Sequence, residues 1–230
     1  MAGRTLLDHA LADLAAAGVE VALVVTSPAK PELAATLGTR RHGIALEYAL
    51  QPDPRGLADA LSLAEEFAGG EPFLCWLPDN LWSGAIAASA QLASAAALRP
   101  ADHLVALLEI AGAELPRYGA AGFVDSLPEP GDGRLVRIMR VHDKGSRPPP
   151  GDPAVAVLKG FPLDLWQPDL FGRIRAERGR HRGGELDDTP ILQELAREGR
   201  LFGVALRGGR LFDCGIPAGL AAARAALGGE

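Results

Sequence analysis

Apolar residues in the first half of the chain alternate between helical spacing and short continuous runs. They recur at helical spacing from Leu6 to Leu14, and Val19 to Thr26 is an almost continuous apolar run rich in β-branched residues. Such a run is typical of a strand covered on both faces, as in a parallel sheet. The same pattern predicts helices over Pro31–Leu37, Gly56–Ala68 and Ser83–Leu98, and strands over Ile44–Leu50, Pro72–Leu77 and Leu104–Ile110. This alternation predicts βαβ units.

The second half of the chain has a different pattern. Tyr118–Val124 and Leu135–Val141 are predicted strands on either side of a turn rich in Pro, Gly and Asp, which favours a hairpin. Further elements are a strand over Ala154–Phe161, helices over Pro168–Glu177, Thr189–Glu198 and Ala218–Leu227, and strands over Leu201–Leu206 and Arg210–Phe212. We therefore expect one α/β domain over residues 1–230, with a Rossmann-like sheet that is mixed but mostly parallel, helices on both faces and an inserted antiparallel hairpin.

The chain begins with a helix, whereas a doubly wound α/β domain usually begins with a strand followed by a phosphate-binding glycine-rich loop. Thr5 and Asp8 have the spacing of a capping box at the start of this helix, and Gly18 is expected to end it. The first strand and its loop are therefore expected to be missing. Without that strand, neighbouring strands should expose unpaired edges.

Composition and charge narrow the function classes. The chain has 230 residues, of which 48% are hydrophobic, so it can form a full core. Its net charge of -6 argues against nucleic acid as a partner. No apolar stretch approaches the ~20 residues needed to span a membrane, so we expect no membrane partner. The two cysteines, Cys75 and Cys214, have no paired spacing and favour a reducing cytoplasm.

An aspartate directly after a predicted buried strand is the first candidate for chemistry. The sequence Phe73–Leu77 is followed by Pro78, Asp79 and Asn80. Because ligands bind outside the carboxyl ends of strands in open α/β sheets, Asp79 lies where a metal-bound phosphate would sit. Pro, Asp and Asn are also ordinary turn residues, so a simple turn explains these three residues equally well when they are taken alone.

Five segments carry a family resemblance in the expected order: Leu6–Thr26, Tyr48–Ala60, Leu77–Asn80, Arg117–Gly119 with Asp143–Lys144, and Glu185 with Phe212–Pro217. Together they resemble the sugar-phosphate nucleotidyltransferases, and glucose-1-phosphate thymidylyltransferases most closely. The segments are similar, in turn, to the family's first helix and second strand, its base-binding segment, its L-G-D-N metal turn, its sugar-side strands with an E-K-P motif, and its sugar-binding Glu with a second metal turn.

The resemblance implies a Mg²⁺-dependent transfer. The phosphate of a sugar 1-phosphate would attack the α-phosphorus of dTTP or UTP, and pyrophosphate would leave. Such a reaction needs positioning and charge neutralisation more than covalent catalysis, and Mg²⁺ prefers a few carboxylates plus substrate oxygens. By this resemblance, Asp79 and Asp213 bind the metal and are catalytic together with Lys144, and Gln51 and Gly56 bind the nucleotide.

The resemblance also divides the chain into two halves. Residues 1–110 would bind the nucleotide, and residues 111–230 would bind the sugar. The sugar-binding residues implied are Asn80, Gly119, Gly160 and Glu185. The implied partners are a nucleoside triphosphate and a sugar 1-phosphate, and family membership also implies a homo-oligomer.

Several positions depart from the family pattern. Pro78 replaces a Gly, Asp143 and Gly145 flank Lys144 where the family has Glu and Pro, and Pro190 replaces an Asp. The family's glycine-rich Thr-Arg loop and the Pro-Lys pair after it are absent from the sequence. Because residues 1–7 are similar to the segment just after that region, we hypothesise that the native protein starts upstream. The chain as given is expected to bind nucleotide weakly and to turn over little.

Two alternative functions stay open. The departures and the missing loop favour a non-catalytic homologue that binds a sugar nucleotide or regulates an active subunit. The second alternative is a bare α/β scaffold that binds no ligand. In that case the five ordered motifs would be a coincidence.

Overall fold

A computed structural model describes residues 4–111, 113, 122–131, 133–143 and 157–227. The helices are α1 (Leu6–Ala16), α2 (Glu32–Leu37), α3 (Leu57–Ser62), α4 (Glu65–Ala68), α5 (Ala88–Ala96), α6 (Leu170–Arg180), α7 (Thr189–Arg197) and α8 (Pro217–Leu227). The strands are β1 (Val21–Thr26), β2 (Arg40–Arg41), β3 (Ile44–Leu50), β4 (Phe73–Trp76), β5 (Asn80–Gly84), β6 (His103–Ile110), β7 (Val124–Pro128), β8 (Leu135–Val141), β9 (Val157–Trp166), β10 (Leu201–Ala205) and β11 (Gly209–Asp213).

The strands form three sheets. Six strands follow the order β4-β9-β6-β10-β8-β7, three follow the order β1-β3-β2, and β5 pairs with β11. The predicted mixed α/β fold is confirmed, but the expected predominance of parallel pairing is corrected. Within the described residues, only β1–β3 and β6–β10 are parallel. The reason is β9, which lies between β4 and β6 and runs antiparallel to both, a direction that hydrophobic periodicity does not encode.

The predicted hairpin is present as β7 and β8, which pair antiparallel from Val124 opposite Val141. It extends the large sheet because β8 also pairs with β10. The first hairpin strand runs from Val124 to Pro128, later than the predicted Tyr118–Val124, most of which lies outside the described residues. The hairpin therefore forms one edge of the sheet.

Helices cover both faces of the large sheet, as predicted. In β6, Val105 and Leu107 belong to a core cluster that also contains residues of α3, α6 and α7. The alternate residues Leu104 and Ala106 belong to a second cluster with Leu92 of α5. This alternation within one strand is what a sheet buried on both faces requires. Among the described residues, no helix is long and apolar enough to cross a membrane.

Two predicted helices have different boundaries in the structure. The predicted helix over Gly56–Ala68 is two short helices, α3 and α4. The predicted helix over Ser83–Leu98 begins only at Ala88, because the preceding residues form β5. Ser83 lies opposite Arg210 in the β5–β11 ladder, so pairing with a strand distant in sequence overrides the local helical pattern.

A cavity of about 670 Å³ lies between the three-stranded sheet and the six-stranded sheet. It is lined by every residue of β1 and of β4, and it is covered by side chains of α1, α3 and α4. Among the described residues, β1 and β4 are each the last strand of their sheet, so two unpaired edges face this cavity. We call it the strand slot.

A buried histidine makes fold stability depend on pH. His103 is fully buried, lies 3.0 Å from Asp169 through its Nε2 atom and accepts from the Gln167 N–H at Nδ1. Burial is the main cause that lowers the pKa of His103 from 6.5 to about 4, while Asp169 opposes the shift. The folded state thus binds fewer protons than the unfolded state, and stability is lost as the pH falls from about 6.5 through about 4.

We expect this histidine to remove up to about 3 kcal/mol of unfolding free energy between pH 7 and pH 4. The replacement His103→Gln cannot take up this proton, so its urea-unfolding free energy should fall less over the same interval. Equal losses in the wild-type protein and in His103→Gln would contradict the assignment.

Candidate active site

Asp79 and Asp213 lie side by side, although the sequence separates them widely. Asp213 ends β11 and lies opposite Asn80, the first residue of β5. The Cys214 N–H donates to the Asp79 carbonyl oxygen at 2.7 Å, which joins the two turns. A Cβ atom placed on Gly215 would lie 3.2 Å from Asp213 Oδ1 and 3.3 Å from Asp79 Oδ2. The two carboxylates therefore face one small space.

Local hydrogen bonds orient both carboxylates. The Asn80 amide donates from Nδ2 to Asp79 Oδ1 at 2.8 Å, and the Gly215 N–H donates to Asp213 Oδ1 at 3.1 Å. Within the described residues, no group of three or more His, Cys, Asp or Glu side chains could hold a metal. Two carboxylates nevertheless suit Mg²⁺, because this ion commonly takes its other ligands from water and substrate phosphates.

Gln51 lies directly after β3, at the carboxyl end of that strand in the three-stranded sheet. Its backbone N–H donates to the Thr26 carbonyl oxygen at 2.7 Å. Its side-chain Nε2 donates to Asp59 Oδ2 at 3.0 Å and to the Gly56 carbonyl oxygen at 3.3 Å. The donor end of the amide is therefore used inside the protein, and Oε1 is the end that stays available to a ligand.

Gly56 is packed against the segment that carries Glu185. Its φ is +106°, and a Cβ atom there would lie 2.5 Å from the carbonyl oxygen of Leu186. The Leu186 N–H donates to Arg55, and the Leu186 carbonyl oxygen accepts from Ala58. Sequence reasoning expected a Cβ at this position to collide with a bound base, whereas its nearest neighbours in the protein are backbone atoms. Gly56 thus allows the segment before α3 to pack directly against the segment that carries Glu185.

A second cavity, of about 370 Å³, lies on the other side of the β4 terminus. We call it the polar cavity. Gly160 and Glu185, two of the residues predicted to bind sugar, both line it. Leu57 and Leu77 line both the polar cavity and the strand slot. Asp79 follows Leu77 by two residues, so the carboxylate pair lies near the junction of the two cavities.

Three predicted site residues remain, and two of them lie outside the described residues. Asn80, expected to contact sugar, lies beside the carboxylate pair, where its amide holds Asp79. Gly119 and Lys144 lie outside the described residues. Their assigned roles stay predictions.

Sequence reasoning missed one cation at the site, Lys159 in β9. It lines the polar cavity, and its Nζ lies 5.0 Å from the centroid of the Phe123 ring. Burial lowers the pKa of Lys159, and the negative charge of Asp213 opposes that shift, so the lysine lies within the field of the carboxylate pair. A lysine inside the predicted strand over Ala154–Phe161, whose other residues are uncharged, was the sequence signal that could have identified it.

The Nucleotidyl transferase family pattern matches residues 1–161. The chain belongs to this family. It is 31% identical over 174 residues to a Bacillus subtilis protein named for UTP–glucose-1-phosphate uridylyltransferase activity, and the match covers 75% of this chain and 59% of that protein. It is 28% identical over 221 residues to a glucose-1-phosphate thymidylyltransferase of Actinoplanes, with 92% and 66% covered. The chain thus spans less than two thirds of the length of these relatives.

Solved structures share the fold of this family member. A UDP-glucose pyrophosphorylase in complex with UDP-glucose superposes with a TM-score of 0.79 at 22% identity, covering 97% of this chain and 86% of that one. A UTP-bound UDP-glucose pyrophosphorylase of Acinetobacter baumannii has a TM-score of 0.77 at 18% identity, with 98% and 82% covered. At these identities the likeness establishes the fold. The family match over residues 1–161 and the 31% identity to the Bacillus subtilis protein confirm the resemblance to sugar-phosphate nucleotidyltransferases.

Proposed function

We propose that this protein transfers a nucleotidyl group from dTTP or UTP to a sugar 1-phosphate, with glucose 1-phosphate as the first candidate, and releases pyrophosphate in the cytoplasm. The observation that carries the proposal is the convergence of Asp79 and Asp213 beside the junction of the two cavities. Family membership supports the reaction class. The division into a nucleotide half over residues 1–110 and a sugar half over 111–230 follows from this proposal.

In this proposal Mg²⁺ is held by Asp79 and Asp213, and when bound it neutralises phosphate charge. The facing carboxylate oxygens fit that ion. Asn80 orients Asp79, and Lys159 adds a positive charge beside the pair. Lys144 would add another cation, as the resemblance implies. Phosphoryl transfer depends mainly on such positioning and charge neutralisation.

The nucleotide would bind at the carboxyl ends of β1 and β3. Gln51 Oε1 is available to accept from the imide N–H of thymine or uracil, while Nε2 is held by Asp59. Thr26 lines the adjoining slot, and its buried hydroxyl has no hydrogen-bond partner among the described residues. The sugar would bind in the polar cavity against Gly160 and Glu185, with Gly119 as a further predicted contact.

Pyrophosphate release from dTTP or UTP, with Mg²⁺ and glucose 1-phosphate, tests this proposal. The chain should be compared with a version that carries, ahead of Met1, a strand and a glycine-rich Thr-Arg loop of the kind that the resemblance implies. We expect release from the extended version and turnover at least about a hundredfold lower from the chain as given, because a phosphate loop supplies backbone N–H groups to the triphosphate. Turnover by the shorter chain within that factor would contradict the expected impairment.

The strand slot favours a second candidate function. Two unpaired strand edges next to the proposed nucleotide site would suit a non-catalytic homologue that binds a sugar nucleotide or regulates an active subunit. This function predicts no turnover even after extension, together with a higher melting temperature in UDP-glucose or dTDP-glucose. A homo-oligomer stays a prediction, which light scattering tests directly.

A further inference from the structure

A mostly buried carboxyl group lies in the wall of the polar cavity. Asp164 of β9 is only 7% exposed and lines this cavity. Its neighbours across the two ladders are Cys75 and Val105, which belong to or pack against an apolar core cluster. Among the residues that the structure describes, no side-chain hydrogen bond of Asp164 is seen, and its carboxyl oxygens are not among the fully enclosed polar atoms that lack a partner, so the group is open to the cavity. Burial of such a group is costly unless a partner compensates it, so each such group calls for a functional explanation.

The surroundings of Asp164 favour its neutral form. Burial raises the pKa of Asp164 well above its usual range, and the negative charge of Asp188 adds a smaller upward shift. Asp188 is itself buried and lines the same cavity, as do the charged residues Glu185, Asp187 and Lys159. A protonated carboxyl group offers one O–H donor and acceptor oxygens. Its natural complement is a group that both accepts and donates a hydrogen bond, and a hydroxyl is such a group.

The charges around the cavity also indicate how a phosphorylated ligand would lie. The negative charge of Asp188 acts on Asp164, so a phosphate is disfavoured next to Asp164. The charge of Asp213, a proposed metal ligand, acts on Lys159 of the same cavity, so the proposed function places the phosphate toward Asp213. The neutral, hydroxyl-bearing part of the ligand is then left to face Asp164.

We propose that Asp164 determines specificity by hydrogen bonding to a ring hydroxyl of the sugar phosphate in the polar cavity. This inference rests on the proposed function, because it requires a polyhydroxylated ring in that cavity. A site built to hydrogen-bond a hydroxyl rejects the analogue that lacks it, since the buried polar group is then left unpaired. One unpaired neutral group corresponds to a loss of affinity of about 10- to 100-fold.

Calorimetric titration of the 230-residue chain tests this, with glucose 1-phosphate and its four monodeoxy analogues at positions 2, 3, 4 and 6. We expect the wild-type protein to bind one of the four analogues about 10- to 100-fold more weakly than the parent sugar phosphate. Asp164→Leu should bind the parent that much more weakly and should lose the discrimination against the same analogue. Asp164→Asn keeps a donor and an acceptor and should retain part of the discrimination. Pyrophosphate, which has no ring, should bind all three proteins equally.

Cys75→Ala is the matched control. Cys75 lies opposite Asp164 in the same ladder, but it lines the strand slot and not the polar cavity. This variant alters the packing at the same level of the β4–β9 ladder. It should keep the wild-type discrimination between glucose 1-phosphate and its deoxy analogues. Urea unfolding of each variant shows whether a loss of affinity reflects a loss of folding.

The outcomes separate this inference from the proposed function. If glucose 1-phosphate binds and Asp164→Leu keeps the wild-type pattern, the inference is overturned and the proposed function stands. That result would mean that a water molecule satisfies the carboxyl group. If UTP or dTTP binds but glucose 1-phosphate does not, the sugar half of the proposed function fails and the inference fails with it.

Discussion

Asp79→Asn and Asp213→Asn are each expected to lower pyrophosphate release by about 100- to 1000-fold in the loop-bearing version of the chain. Each replacement keeps the shape of the side chain but removes one of the two negative charges that face the same space beside Gly215. A single carboxylate would hold Mg²⁺ weakly, and the developing charge on the phosphates would lose its compensation. Calorimetry with UTP in the presence and absence of Mg²⁺ should show the loss of the metal-dependent part of binding.

The control for these variants is Asp102→Asn. Asp102 directly precedes β6, at the amino end of that strand, so the same charge is removed far from the carboxylate pair. We expect its release of pyrophosphate to stay within about twofold of the unsubstituted protein. If Asp79→Asn or Asp213→Asn kept more than a tenth of the activity, the carboxylate pair would not be the metal site.

Gly219→Ala is expected to lower the free energy of unfolding by about 3 kcal/mol or more. Gly219 is the third residue of α8, in its first turn, and a Cβ atom there would overlap the carbonyl oxygen of Asp213. Because the obstacle is backbone, no change of rotamer relieves it, and α8 would have to move away from β11. Asp213 would move with this contact, so Mg²⁺-dependent nucleotide binding should weaken as well. Urea denaturation and calorimetry measure the two effects.

Gly172→Ala is the matched helical control for this prediction. Gly172 lies in α6, and a Cβ atom there would meet no atom within 4 Å. Alanine favours a helix over glycine by about 0.5–1 kcal/mol, so this variant should be slightly more stable than the wild-type protein. A Gly219→Ala protein as stable as Gly172→Ala would show that α8 is not held against Asp213 as the structure has it.

The strand slot connects the fold to the two candidate functions. It lies between β1 and β4, and it shares Leu57 and Leu77 with the polar cavity. A strand placed in the slot would join the three-stranded sheet to the six-stranded sheet. A loop after that strand would reach the carboxyl ends of β1 and β4, where Gln51 and Asp79 lie. The comparison of extended and unextended versions therefore tests the sheet and the site together. Restored turnover favours the enzyme, and ligand binding without turnover favours the non-catalytic homologue.

The sequence alone determined much of the secondary structure. The apolar run before Thr26 forms β1, the helical spacing after Thr5 forms α1, and Thr5 and Asp8 form the predicted capping box. The ordered motifs were sufficient to recognise the family, because a motif depends only on residue types and their order along the chain. They also placed Asp79 and Asp213 at strand ends. Periodicity failed around Ser83, where a helical pattern is overridden by pairing with Arg210.

Only the tertiary structure decided what depends on distant contacts. Strand direction is one case, because β9 could pair in either sense without changing its apolar pattern. The approach of Asp79 to Asp213 is another, since it follows from the β5–β11 ladder and not from either motif. Gly56 meets Leu186, and Asp164 is buried beside the polar cavity, through packing between segments far apart in the sequence. Local sequence fixes which side chains are available, and long-range packing fixes which of them share a site.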